Sequence, residues 1–131
     1  MFVDASAIIA ILVREDDADA LAMRLSQAPA IYTSPIALYE AALGIARVLN
    51  IAVDAARTEL DNFIADTNTK LVPISAEIGR AALDAFERYG RGRHPAQLNM
   101  GDCFAYACAG ALGVPLLYKG DDFARTDIAA A

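Results

Sequence analysis

The first thirteen residues, MFVDASAIIAILV, are apolar, small or hydroxylic at every position except Asp4. Phe2 and Val3 open the run as a strand, and from Ala5 onward Ile8, Ile9 and Leu12 recur at helical spacing. The same switch, from a short apolar run to a helical period, repeats along the chain. After the polar break Arg14–Asp17, Leu21 and Leu25 mark a helix through about Ser26, capped by Asp16 or Asp17. Ile31–Thr33 reads as a second strand. Ser34 and Pro35 supply an N-cap and a first helical residue for a helix from Ile36 to about Leu49. Asp54 opens a further helix to about Asp66, with Leu60, Phe63 and Ile64 on its apolar face. Lys70–Ile74 is the third strand, and Ser75 caps a helix from Ala76 to about Tyr89. A basic, glycine-rich loop (Gly90–Pro95) follows, and Asn99 then caps a helix to about Leu112. Val114–Tyr118 is the fourth strand, with a short final strand expected near Asp127–Ile128. The tail Ala129–Ala131 carries no signal of its own.

Strands that alternate with helical segments predict an α/β fold: a parallel sheet with helices on both faces, the C-terminal strand ends gathered at one edge. The 131 residues suit one domain, 1–131, and 56% hydrophobic residues supply its core. The N-terminal apolar run is too short, and lacks the basic flank, for a signal peptide or a membrane span. Cys103 and Cys108 lie five apart on one helix, where they cannot bridge, and read as buried thiols of a reducing cytoplasm. One histidine, His94, and no close cysteine pair argue against zinc.

Net charge is −6, unevenly placed: residues 1–79 carry five basic and eleven acidic groups, whereas 80–98 carry four basic and two acidic. Such a chain is a poor non-specific binder of nucleic acid, because phosphate neutralisation supplies most of that affinity. It is a better cradle for a cation. Asp4 is the only charge in residues 1–13, Glu40 the only one between Arg24 and Arg47, and Asp102 the only one between Arg93 and Lys119 with His94 neutral. A further acid, Asp121 or Asp122, follows the last long strand. Each has a plainer explanation: Asp4 or Ser6 as a helix cap, Glu40 as an outward-facing residue, Asp102 as a helix-dipole partner, Asp121 and Asp122 as turn residues. Their recurrence at consecutive strand–helix junctions favours convergence. Converging carboxylates cannot all stay ionised without a cation, and hard oxygen donors suit Mg²⁺ or Mn²⁺. Such a centre can activate water for attack on a phosphodiester.

The segments VDASAIIAIL, SPIALYEAALGIARV, LNMGDCFAYACA and LLYKGDDFARTDI, in this order and spacing, closely resemble the PIN-domain ribonucleases, above all the VapC toxins of bacterial VapBC toxin–antitoxin pairs. The resemblance spans essentially the whole chain. It implies a three-layer α/β/α sandwich, a metal-dependent endoribonuclease leaving a 3′-hydroxyl and a 5′-phosphate, and neutralisation by a VapB-type antitoxin. By position, Asp4, Glu40 and Asp102 match the family's acids, with Asp4 and Asp102 expected to hold Mg²⁺. Asp122 fits the fourth acidic position better than Asp121, Ser6 matches the hydroxyl that orients the first carboxylate or a water, and Asn99 belongs to the LN-x-GD signature. Arg88, Arg91, Arg93 and Lys119 are candidates for contacts to RNA, the expected substrate being a single-stranded loop of tRNA or rRNA. The outer surfaces of the Ile36–Leu49 and Asp54–Asp66 helices are candidates for antitoxin or homodimer packing. Two alternatives stand beside this reading: a receiver-like Mg²⁺-binding phosphoacceptor domain, and a PIN fold that binds without cleaving.

Overall fold

The computed structural model describes residues 1–131. Four short strands, β1 (Phe2–Val3), β2 (Tyr32–Thr33), β3 (Lys70–Leu71) and β4 (Leu116–Leu117), form one parallel sheet in the order β3-β2-β1-β4. Six helices accompany them: α1 (Ala5–Leu12), α2 (Ala18–Ser26), α3 (Pro35–Leu49), α4 (Val53–Thr67), α5 (Ala76–Tyr89) and α6 (Met100–Leu112). The strand period of two decides which layer each residue feeds. In β1 and β4, Phe2 and Leu116 face the core built by α5 and α6, whereas Val3 and Leu117 face the core built by α1 to α4. These four side chains are buried to within 1%. The result is the expected three-layer α/β/α arrangement, with β1 in the middle of the sheet.

Local chemistry sets most element boundaries. The side chains of Ser34, Ser75 and Asn99 each accept a backbone N–H of the first turn of the helix they precede. Asn50 and Asn68 close α3 and α4 in the left-handed conformation that asparagine tolerates. Gly44 lies where α1 crosses α3; a Cβ there would overlap Ile9 Cδ1, so the glycine lets the two helices approach.

Several expected boundaries move. The third strand stops at Leu71 rather than Ile74, because Val72 makes the last ladder bond, to Thr33 O at 2.8 Å, and Pro73 has no N–H to continue it. The fourth begins at Leu116 rather than Val114, after Pro115. Helix α4 starts at Val53 with Ala52 as its cap, and Asp54 sits in its first turn, paired with Arg57. Asp17 precedes α2 but does not cap it; its carboxylate turns to Lys119. No strand forms at Asp127–Ile128. A 3-10 turn at Phe123–Arg125 and the side-chain bonds of Asp127 to Arg88 and Tyr106 hold that segment away from the sheet. The tail takes the edge instead: Leu116 N donates to Ala129 O at 2.9 Å, and Ala131 N to Leu116 O at 3.0 Å.

Candidate active site

The C-terminal ends of β1, β2 and β4 open into one cleft, the usual place for chemistry in a parallel α/β sheet. Asp4 is the residue at which β1 becomes α1. Its N–H completes the ladder to Leu117 O at 2.9 Å, and its Oδ2 caps α1 by accepting the Ser6 N–H at 2.9 Å. The Ser6 hydroxyl donates to the same oxygen at 2.6 Å and accepts the Lys119 N–H at 3.0 Å. The end of β4 therefore holds Ser6, and Ser6 holds Asp4. Capping and site-building are the same act here, and Asp4 Oδ1 is left without a protein hydrogen bond.

Asp102 follows the same design on α6. Asn99 and Asp102 form a reciprocal capping box, with Asp102 N to Asn99 Oδ1 and Asn99 N to Asp102 Oδ2, both 2.9 Å. One carboxylate oxygen is used and the other is free. Glu40, from the second turn of α3, packs against the start of α6. A Cβ on Gly101 would overlap its carboxylate, so only glycine admits Glu40 at that place. Asp122 comes from the loop after β4.

Asp4, Ser6, Glu40, Asn99, Asp102 and Asp122 all line one open cleft of about 490 Å³. Asp4 and Asp102 are 5% and 8% exposed, which is unusual for carboxylates without cationic partners. Burial pushes the Asp4 carboxyl up, against the Ser6 hydrogen bonds, and the Asp122 charge adds to the rise. Burial, then the charges of Asp4 and Asp102, push Glu40 up to about 7. Burial also lifts Asp102 to about 6, opposed by the Asn99 N–H and by Arg91, and reinforced by Asp4 and Asp122. The acids thus sense one another across the cleft.

This donor set fits a hard divalent cation. Its oxygens are carboxylate, one on each of Asp4 and Asp102 is uncommitted, and a cation would relieve the repulsion. The side chains do not close into a ready cage of three ligands. That openness suits Mg²⁺, which retains several waters and takes one or two carboxylates.

Other candidates lie elsewhere. Asp121 does not line the cleft; its carbonyl accepts the Ala124 N–H. Arg88 is tied to Asp127 at 2.9 Å and Arg93 to Glu87 at 2.9 Å, while Lys119 pairs with Glu15 and, at 3.1 Å, with Asp17. Of the four cations expected to meet RNA, only Arg91 is unpaired and near enough to Asp102 to act on it. His94 Nδ1 accepts the Ala96 N–H, and its ring meets Tyr89 edge-on. Burial pushes both cysteine thiols up to about 11, which leaves them unreactive. Three cleft residues carried no earlier signal: Tyr39, Leu43 and Arg47, each four residues from the next on α3. They lie beside Glu40 on the cleft side of α3.

A family model, the PIN domain, matches residues 1–129. The chain is 42% identical over 139 residues to a VapC ribonuclease of Rhizobium meliloti (strain 1021), covering 97% of this chain and 98% of that one. It is 40% identical to the ribonuclease VapC of Mycolicibacterium smegmatis, covering 99% and 98%. Among solved structures, Mycobacterium tuberculosis VapC20, described as a sarcin-ricin loop cleaving toxin, superposes with a TM-score of 0.77 at 19% identity, over 99% of this chain and 97% of that one. A toxin–antitoxin complex from Klebsiella pneumoniae gives 0.70 at 18% identity, over 99% and 95%. VapBC2 from Rickettsia felis, bound to a DNA fragment from its promoter, gives 0.67 at 15% identity, over 98% and 94%. With β3 followed by Pro73, Ile74 and Ser75 rather than by an acid, nothing in the sheet favours a receiver-like phosphoacceptor. The chain belongs to the PIN-domain family and, within it, to the VapC ribonucleases, the toxins of VapBC toxin–antitoxin pairs.

Proposed function

We propose that the cleft is the catalytic centre of an endoribonuclease in which Asp4 and Asp102 hold Mg²⁺ or Mn²⁺, Asp122 completes the acidic set directly or through water, and Glu40 handles the proton of the attacking water. The observation that carries this reading is the meeting of four carboxylates, from the end of β1, the second turn of α3, the first turn of α6 and the loop after β4, in one cleft. A divalent cation bound there supplies Lewis acidity and charge neutralisation toward a phosphodiester. The residues do the rest. Ser6 fixes Asp4 Oδ2 and Asn99 fixes Asp102 Oδ2, so each acid offers its remaining oxygen in a set direction. Glu40, raised to about 7, is poised to accept a proton near neutral pH. Gly101 holds the space that Glu40 occupies.

The substrate of this reading is RNA, cleaved to a 3′-hydroxyl and a 5′-phosphate, with a single-stranded loop of tRNA or rRNA as the target class. The partner is a VapB-type antitoxin. An arginine from that partner would satisfy the acids in place of the cation. The apolar cleft between α1, α2 and α4, about 570 Å³ and lined by Leu12, Leu25 and Phe63 among others, would take its apolar residues. Val48 and Leu49 on α3 and Val53 on α4, each about half exposed, suit a second copy of the chain. No helix is long and apolar enough to cross a membrane, and the buried thiols agree with a cytoplasmic setting. Incubating antitoxin-free protein with total RNA, with Mg²⁺ or with EDTA, tests the reading. Metal-dependent fragments bearing 5′-phosphates are expected. Intact RNA despite metal binding would instead favour a PIN fold that binds without cleaving.

A further inference from the structure

Eight of the eleven lysines and arginines are already engaged, in ion pairs, on main-chain carbonyls or over an aromatic ring. Arg14, Arg47 and Arg91 are the three left without a partner. Of these three, Arg47 lines the acidic cleft, and Arg91, from the α5–α6 connection, lies within electrostatic reach of the Asp102 carboxyl. A chain of net charge −6 has thus neutralised its cations nearly everywhere except beside its catalytic carboxylates.

Arg47 is one end of a stripe. Tyr39, Leu43 and Arg47 follow one another at four-residue intervals on one side of α3, and all three line the cleft next to Glu40. The stripe spans about 12 Å at the helical rise. Tyr39 is 67% exposed and Leu43 43%, and no hydrogen bond ties Tyr39 down. An exposed aromatic face beside an apolar shoulder and an uncommitted guanidinium has the chemistry that binds a single strand: every base has a face to stack, and every phosphate can accept from arginine.

We propose that the Tyr39–Leu43–Arg47 stripe is a nucleotide subsite of the cleft. The base next to the scissile phosphodiester stacks on Tyr39 against Leu43, and a phosphate farther along the same strand is held by Arg47. This rests on the nuclease reading above and extends it to substrate grip. It also explains how so acidic a protein retains RNA: affinity comes from stacking and one or two placed arginines rather than from bulk charge.

The chain contains no tryptophan, so Tyr39→Trp places a single reporter on the stripe. Its fluorescence is titrated, in EDTA and at low salt, with a short random-sequence single-stranded RNA. Saturable quenching is expected. Adding Arg47→Ala should weaken that binding about tenfold and lower the salt slope by about one. By anisotropy of the same labelled RNA, Tyr39→Ala should lose about tenfold in affinity while Tyr39→Phe, which keeps the ring, binds as wild type does. An unquenched tryptophan, or wild-type affinity in Tyr39→Ala, overturns the subsite. So does a fall in mass by light scattering in Tyr39→Ala with RNA affinity unchanged, which would make the stripe an interface between copies. Mn²⁺ titration separates the two levels. Metal binding by wild-type protein with an unquenched reporter removes the subsite alone, whereas absent metal binding removes the nuclease reading beneath it.

Discussion

Two of the acids that line the cleft, Asp4 and Asp102, are each aimed by a second bond made within its own element or just before it. Asp4 Oδ2 is spent on Ser6 and Asp102 Oδ2 on Asn99, which leaves one oxygen apiece for a ligand. Asparagine is as good a cap as aspartate, so Asp4→Asn should keep α1 while removing charge from the cleft. RNA cleavage should disappear with the far-UV circular dichroism unchanged; loss of the dichroism would mean that Asp4 serves the fold first. Gly101→Ala makes the opposite kind of test. Its methyl would displace the Glu40 carboxylate, the free end of a flexible, partly exposed side chain, so the loss of stability should be small. Activity should fall by more than that loss of stability explains, measured as kcat at a temperature where the variant is fully folded. Asp4, Glu40 and Asp102 were legible because each is the lone charge of an apolar stretch, whereas Asp122 shares a charged turn with Asp121. Tyr39 and Arg47 were not, since an exposed residue on a helix face looks the same whether or not a cleft lies beside it.

At the scale of elements, the caps were readable and the tertiary ties were not. Ser34, Ser75 and Asn99 act on N–H groups three residues away, within the reach of a sequence pattern. The final strand expected at Asp127–Ile128 fails because Asp127 bonds to Arg88, 39 residues earlier. Likewise the loop after β4 is tied to the α1–α2 connection by Lys119 and Glu15, 104 residues apart. No local period encodes such pairs. The two ties at the cleft should differ in strength. Asn99→Ala removes a cap and one of Asp102's two anchors, costing about 1 kcal/mol and a few degrees of Tm. Lys119→Met breaks the ion pairs to Glu15 and Asp17, whose members are 35–42% exposed, and should cost less than about 1 kcal/mol. Thermal denaturation of both variants, with Mn²⁺ titration alongside, checks the order; a larger loss of Tm in Lys119→Met would reverse it.

Across the whole molecule, the raised carboxyls couple folding, protons and metal. Glu40 at about 7 and Asp102 at about 6 hold protons in the folded chain that the unfolded chain has already released. Their contribution to stability is fully present below the ordinary carboxylate range near pH 4 and is lost as pH rises through about 6 and then 7. Metal-free protein should therefore lose Tm between pH 5 and pH 7.5, and Mn²⁺ should restore more Tm at pH 7.5 than at pH 5. Equal metal-induced shifts at both values would show that Asp102 is not a ligand and that Glu40 does not feel the ion. The fold that makes this coupling was visible as alternating strands and helices. The two-residue strands were not, because prolines at 73 and 115 and the neighbouring ladders decide where pairing stops.

The most direct test is calorimetric titration of Mn²⁺ into antitoxin-free wild-type protein and into the Asp4→Asn/Asp102→Asn double variant at neutral pH. The wild-type chain should bind the ion and release protons as it does so, and the double variant should not bind it. Equal binding by both proteins would mean that these carboxylates do not form one metal centre.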